Sequence, residues 1–360
     1  MSKKVIVSVT NDLSTDQRVH KVCQSLLSMG FAVELVGRIQ SFSQPIKREY
    51  VTTRLKTFFS SGPLFYFEFN VRLFFKLLFS KCNVLLSNDL DTLLANFLVS
   101  KFKAISLVYD SHELFVEVPE LTNRTFKKKI WECLEAWILP KINLSYTVCE
   151  SIANFYKNKY GLNMKVVRNV PYLDESSSYE NKTNTLIYQG GMNPGRGLEL
   201  AINTMMFLDD FKLKIIGDGQ ELNKLKNLVD QKGLNDRIIF LGRLPFKDLK
   251  VHTEKACIGI LFEEPRGLSF EFSLPNKLFD YIHSNTAVIA SPLIEVKRIV
   301  DQYKVGEFIY DRSPKVVANQ IKKMSKNINE YKFTQAKEDL NWQNEFKNLE
   351  CIFSPLLGKA

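Results

Sequence analysis

The sequence has no cysteines spaced to make a metal or redox motif. Cys23, Cys82, Cys133, Cys149, Cys257 and Cys351 are scattered, with no C-x-x-C and no short His/Cys cluster. That excludes a structural zinc site and a disulfide framework, and it predicts a reducing compartment. No G-x-G-x-x-G follows the first strand pattern, so the nicotinamide or flavin fingerprint is missing where it belongs. No G-x-S-x-G is present, which excludes a serine-hydrolase elbow. A zinc finger, an RNP-like strand and a lysine-rich tail are all lacking, which ranks nucleic acid low as a partner. Tandem repeats of solenoid length and low-complexity tracts are absent too. The apolar run in MSKKVIVSV is too short and too β-branched for a signal-peptide core, so a cytosolic protein is expected.

What is present fits two soluble domains. The 360 residues exceed one ordinary α/β core, and 45% apolar with 24% charged residues describes a globular chain. The net charge of +10 asks for an anionic partner. A phosphate ligand beside an anionic membrane surface answers it better than nucleic acid does.

Strand and helix patterns alternate along the whole length. Runs at 5–9, 32–36, 83–87, 104–109, 144–148 and 165–168 read as strands of a first parallel sheet. The segment 169–184 is polar, serine-rich and without period, and reads as a linker. Strands at 185–189, 212–216, 238–241, 257–261, 287–290 and 306–309 follow, with helices between them. The segment 58–79 is crowded with phenylalanine, and Glu68, Arg72 and Lys76 form one charged stripe on it. Those three charges exclude a membrane span. A sheet-covering crossover helix is preferred here to a helix lying on a membrane surface.

Polar clusters sit at strand ends, where open α/β sheets bind ligands. Asn11, Asp12, Asp16 and Arg18 follow the first strand. Ser14 and Gln17 have capping-box spacing in the same loop, so helix capping and ligand binding both stand as readings. Asp89 follows another strand. His112, one of four histidines, follows a third between Asp110 and Glu113.

In the second half, Gly190, Gly191 and Gly195 sit in a loop that ends with Arg196 at a helix start, a place to clamp phosphate. The G-K-[ST] ending of a Walker loop is missing from it. Arg243 and Leu244 follow a later strand, with Arg243 as another cation and Leu244 able to flank a flat base. The stretch 268–291 reads as a helix start with Ser273 as N-cap and Pro275 and Lys277 in the first turn. Free N–H groups and a positive dipole there suit a phosphate.

These motifs together resemble the family 4 glycosyltransferases, through NDLSTDQRVHK, VYDSHELF, RNVP, YQGGMNPGRGLELAI, LKIIGDGQ, IIFLGRL and LPNKLFDYI. The resemblance implies the GT-B fold: two Rossmann-like domains, 1–168 and 185–332, facing across a cleft. It also implies that 333–360 crosses back to the first domain. A nucleoside-diphosphate sugar would be the co-substrate, with retention of configuration, no metal ion and no other cofactor. Arg196 and Lys277 would stabilise the leaving diphosphate, and His112 would contact the donor sugar. The donor would lie among Gly190, Gly191, Gly195, Arg243 and Leu244, and along Glu271, Ser273, Leu274, Pro275 and Asn276. Asp280 matches the second acid of the family's Glu-x7-Glu motif, a ribose ligand, but Phe272 stands where the first glutamate is expected. Glu271, Glu263 or Glu264 would have to replace it. The acceptor, a lipid-linked glycan for surface polysaccharide at the inner face of the cytoplasmic membrane, would meet Asn11, Asp12, Asp16, Arg18, Asp89 and Glu113. A nucleotide-sugar 2-epimerase and a non-catalytic transferase-like partner are the alternatives.

Overall fold

The computed structural model describes residues 2–14, 16–40, 43–118, 121, 124–174 and 182–358. Thr15 of the first polar loop and residues 175–181 of the expected linker lie outside them. The chain divides into two compact units, Met1–Asn169 with Glu345–Ala360, and Val170–Asn344.

The first unit is built on a parallel sheet ordered β3-β2-β1-β4-β5-β6-β7. Its strands are β1 (Lys4–Asp12), β2 (Ala32–Arg38), β3 (Val51–Leu55), β4 (Val84–Asn88), β5 (Ser106–Ser111), β6 (Leu144–Thr147) and β7 (Lys165–Val166). Sequence reading missed β3. It is an edge strand of sequence VTTRL whose residues are all exposed or only half-buried, so it lacks the apolar run that marks the inner strands. Its helices include α1 (Gln17–Ser28), α2 (Gly62–Phe79), α3 (Asp89–Lys103) and α4 (Thr125–Ile138).

Two local expectations change. β1 runs through Asn11 and Asp12, which therefore leave the loop. The N-cap of α1 is Asp16, whose carboxylate accepts from Val19 N at 3.1 Å, and not Ser14. Ser14 instead folds back on Asp12, which accepts from the Ser14 backbone N–H at 2.8 Å.

α2 covers the sheet as expected of a crossover helix. Phe65, Phe69, Leu73 and Leu77 recur every fourth residue and pack on Ile6, Val36, Leu85 and Val99. Each such burial contributes about 1.5–3 kcal/mol. The charged stripe is spent locally. Glu68 accepts from Arg72 at 2.8 Å and from the backbone of Phe58 at 2.9 Å, and Lys76 pairs with Glu34 of β2 at 2.8 Å. The C-terminal segment completes this unit. Glu345, 2% exposed, takes Arg168 at 2.9 Å, and Phe353 meets Phe31 edge-on at 6.2 Å.

The second unit holds a parallel sheet ordered β10-β9-β8-β11-β12-β13. Its strands are β8 (Thr183–Gln189), β9 (Lys212–Ile216), β10 (Ile238–Gly242), β11 (Ala256–Leu261), β12 (Ala287–Ala290) and β13 (Gly306–Phe308). β11 and β12 are apolar and buried throughout, as strands covered on both faces must be, and β8 is buried from Thr185 onward around Leu186 and Ile187. Among the described residues, no helix of either unit is long and apolar enough to cross a membrane.

Candidate functional site

Each sheet reverses its strand order once, between β1 and β4 in the first unit and between β8 and β11 in the second. Loops leaving neighbouring strands diverge at such a point and open a crevice beyond the strand ends. The candidate residues gather at these two places.

In the second unit, Lys277 and Arg196 converge on one carboxylate. Lys277 Nζ lies 2.6 Å from Glu263 Oε1, and Arg196 Nη1 lies 3.8 Å from the same oxygen. Glu263 follows β11 directly and is 1% exposed. Lys277 also sits 4.0 Å above the Tyr188 ring, and the Arg196 guanidinium 5.3 Å from the Phe270 ring. These contacts hold both cations in place while leaving two positive charges against one negative.

Glycines let the loops stack there. Gly217, with φ +137°, packs so closely that a Cβ would fall 2.0 Å from the Gly190 carbonyl oxygen. Gly195 is buried against Arg266 and Phe270, whereas Gly190 and Gly191 are exposed. A Cβ on Gly190 would lie 4.0 Å from Lys277 Nζ, so this loop borders the cation pair.

The helix Asn276–His283 starts two residues later than expected. Its N-cap is Pro275, with no side-chain cap, and Ser273 turns its hydroxyl back to the Phe270 carbonyl at 2.7 Å. Ser273 is therefore not the cap, because the chain makes a separate turn, Leu268–Glu271, just before it. The uncapped start still presents backbone N–H groups beside Lys277. Leu274 is buried, Pro275 and Glu271 half-buried, and Asn276 exposed. Asp280 accepts from Gln189 Nε2 at 2.6 Å at the end of β8. Arg243 is exposed and pairs with Asp218 at 3.5 Å, with half-buried Leu244 beside it.

Of the three acids that could replace the glutamate missing at Phe272, Glu264 pairs with Arg266 at 2.7 Å. Glu263 alone meets both Arg196 and Lys277. Its position directly after a buried strand was the available sequence signal.

In the first unit, His112 bridges two carboxylates. Its Nδ1 is 3.1 Å from Asp89 Oδ2 and its Nε2 3.0 Å from Asp110 Oδ2. Burial opposes its charge, but Asp89 and Asp110 outweigh that and hold its pKa well above the ordinary value. Both ring nitrogens of His112 are thus engaged by carboxylates. Asp110, fully buried, is held down to about 2 against the cost of burial by Arg18 and His112. Asp91 goes the other way, raised to about 7 by burial and by the neighbouring Asp89.

The predicted acceptor residues separate into two sets. Asn11, Asp89 and Glu113 border an open groove together with His112. Arg18 does not reach it. It is 4% exposed, donates to Asp110 at 2.7 Å and 3.1 Å and to the Val167 carbonyl at 2.8 Å, and so acts as an internal tie. Asp12, 7% exposed, is taken by Ser14, Ser43 and Arg54, and Asp16 caps α1. Those three assignments as acceptor contacts give way to structural roles, since none of the three borders the groove and each is tied to neighbours within the unit.

Comparison with known proteins bears on the fold. The family described as glycosyl transferases group 1 matches residues 173–338, nearly the whole second unit. No curated protein matches the chain in sequence. Solved structures match over its full length. Sucrose-phosphate synthase from Thermosynechococcus elongatus gives a TM-score of 0.80 at 14% identity, covering 99% of this chain and 100% of that one. HepE of Anabaena, solved with UDP-glucose, gives 0.73 at 12% identity, covering 98% and 99%. A glycosyltransferase of Rickettsia africae gives 0.72 at 12% identity, covering 100% of both. At such identities the likeness establishes the fold, which is GT-B.

Proposed function

We propose that the chain is a retaining glycosyltransferase that moves a sugar from a nucleoside-diphosphate sugar to a lipid-linked glycan acceptor. In this reading the second unit holds the donor and the first unit the acceptor. The product is a surface polysaccharide built at the inner face of the cytoplasmic membrane. The observation that carries the reading is the convergence of Arg196 and Lys277 at the β8/β11 reversal.

The chemistry follows from charge. Breaking the bond between the anomeric carbon and the diphosphate puts negative charge on the leaving oxygen. Two fixed cations and an uncapped helix start stabilise that charge, in the place a metal ion could otherwise fill. Glu263, between the cations, is the group that would accept hydrogen bonds from donor-sugar hydroxyls and stands in for the missing glutamate. Asp280 would bind the ribose, exchanging its Gln189 partner for a hydroxyl. His112, Asp89 and Glu113 would face the acceptor. The UDP-glucose held by HepE makes uridine diphosphate the first ligand to try.

Calorimetry with uridine diphosphate tests this. Each charged hydrogen bond is worth about 1.5–3 kcal/mol, so Arg196→Ala with Lys277→Ala should weaken binding by about 100-fold or more. Unchanged affinity would remove the assignment. Turnover of the sugar nucleotide with no acceptor present would favour an epimerase instead.

A further inference from the structure

Three helices of the first unit leave apolar faces in the open, and the faces converge. Phe67 and Phe75 of α2 are 71% and 51% exposed, Leu98 of α3 41%, and Ile130 and Trp137 of α4 52% and 47%. All five line one groove of about 1290 Å³. Solvated aromatic surface on this scale marks a binding face and not ordinary surface scatter.

The groove is polar at one end only. α2, α3 and α4 each follow a strand of the parallel sheet, so all three start at its C-terminal edge and run away from it. At the starting end stand Asp89, Asp91, His112 and Glu113, with Arg124 and Lys127 beside them. Lys128 is paired with Glu117 at 2.9 Å, whereas Arg124 and Lys127 make no ion pair with another described residue. Along α3, Leu98 lies about 10 Å beyond Asp91 at 1.5 Å per residue. The far end is walled by Val71, Phe74, Phe75, Leu98 and Trp137. Trp131 narrows the middle, edge-on to Tyr66 at 5.2 Å and to Phe115 at 5.0 Å.

We infer that this groove holds the hydrocarbon chain of an amphiphilic acceptor, a long-chain lipid phosphate. The chain lies along α3 between Val71 and Trp137, and the phosphate meets Arg124 and Lys127. The head group, and the sugar on it, then sit at the end where Asp89 and His112 stand. A carbohydrate alone could stack on single rings but would leave the aliphatic walls at Val71, Leu94, Leu98 and Ile130 wet, and an amphipathic helix would need polar partners along both rims. A single apolar chain with an anionic head matches both ends. This inference rests on the first unit being the acceptor unit, and it names the acceptor's chemistry.

Trp131 and Trp137 line the groove and report its occupancy, while Trp342 belongs to the second unit. The probe is a monomeric lysophosphatidic acid with a doxyl spin label on its chain, held below its micelle concentration. Saturable one-to-one quenching of tryptophan fluorescence is expected. Val71 and Leu98 are 39% and 41% exposed, so Val71→Glu with Leu98→Glu should fold normally by circular dichroism. That variant should lose at least ten-fold in probe affinity and bind uridine diphosphate as the parent does. Absence of saturation, or equal quenching in the variant, overturns the inference. Quenching only by labelled phosphatidylglycerol vesicles also overturns it, and makes the surface a membrane-docking face. Probe binding without diphosphate binding leaves the groove standing and removes the glycosyltransfer reading. Diphosphate binding without probe binding does the reverse.

Discussion

The two sheet reversals share a plan and carry opposite electrostatics. At β1/β4, the cations Arg18 and His112 are enclosed by Asp89 and Asp110, with Asp91 close by. At β8/β11, Arg196 and Lys277 share only Glu263. The first arrangement spends its charge internally, tying α1 to β5 and to the residue after β7 through Arg18, and the end of β5 to the start of α3 through His112. The second keeps an uncompensated positive charge, which is what a diphosphate needs. The buried Arg18–Asp110 pair is therefore read as a tie, and the unmatched cation pair as a site. The variants below probe that distinction, beginning with the largest expected effect.

Asp110→Ala attacks the tie. It leaves the 4% exposed Arg18 without its anion, and breaking a buried pair in this way costs about 3–5 kcal/mol. Urea unfolding followed by far-UV circular dichroism measures the loss, and uridine diphosphate should not restore it. A loss below about 1 kcal/mol would mean that this cluster is no tie, and the contrast would collapse.

Asp91 gives the same region a pH signature. Its folded pKa of about 7 exceeds the unfolded value near 3.9, so the native state binds the extra proton between those limits. Stability therefore falls as pH rises from about 4 to about 7 and is level above that, as far as this group is concerned. Asp91→Asn keeps an acceptor for the Thr10 hydroxyl, which now donates to Asp91 Oδ2 at 2.5 Å. The variant should exceed the parent by about 1–3 kcal/mol at pH 8, with the gap closing toward pH 4. His112 bends the profile the other way from higher pH, since a raised histidine pKa gives stability that is present below about 6.5 and lost as pH climbs through its folded value. A gap that does not change with pH would show that Asp91 is ionised throughout.

Much of this was legible in the sequence, and the gaps have physical causes. Inner strands such as Val5–Val9 and Ala287–Ala290 announce themselves because both faces are covered. β3 does not, being half-wet at an edge. Glycines and a proline mark the loops of Arg196 and Lys277, whose side chains meet on Glu263. Arg18 was misread, since nothing local shows that an arginine on the first turn of a helix points inward to Asp110, 92 residues on. The groove was hidden for a related reason. α2 is apolar around most of its circumference, and sequence does not say which of Phe65 and Phe67 is covered. They are 4% and 71% exposed.

In the second unit, Glu263→Gln tests whether the cation pair is held back for a ligand. The glutamate lies 2.6 Å from Lys277 and competes with a diphosphate for it. Removing its charge should tighten uridine diphosphate by about ten-fold, roughly 1.4 kcal/mol, while sugar transfer falls. Weaker binding in calorimetry would instead make Glu263 part of the scaffold that aims Lys277, and the second reversal would then resemble the first.

The smallest effect belongs to Arg243. Its side chain is 74% exposed and its partner Asp218 stands 3.5 Å away. An exposed pair of this kind contributes about 0–1 kcal/mol, and long-range attraction to a diphosphate is screened within about 8–10 Å at ordinary salt. Arg243→Ala should therefore leave melting temperature nearly unchanged and weaken uridine diphosphate by no more than about three-fold at 0.15 M salt. The residual effect should grow as salt is lowered, as expected of steering and not of contact. A larger loss that resists salt would place Arg243 against the phosphates. The donor site would then reach beyond Arg196 and Lys277, and the charge contrast between the two reversals would be greater than their contacts with Glu263 suggest.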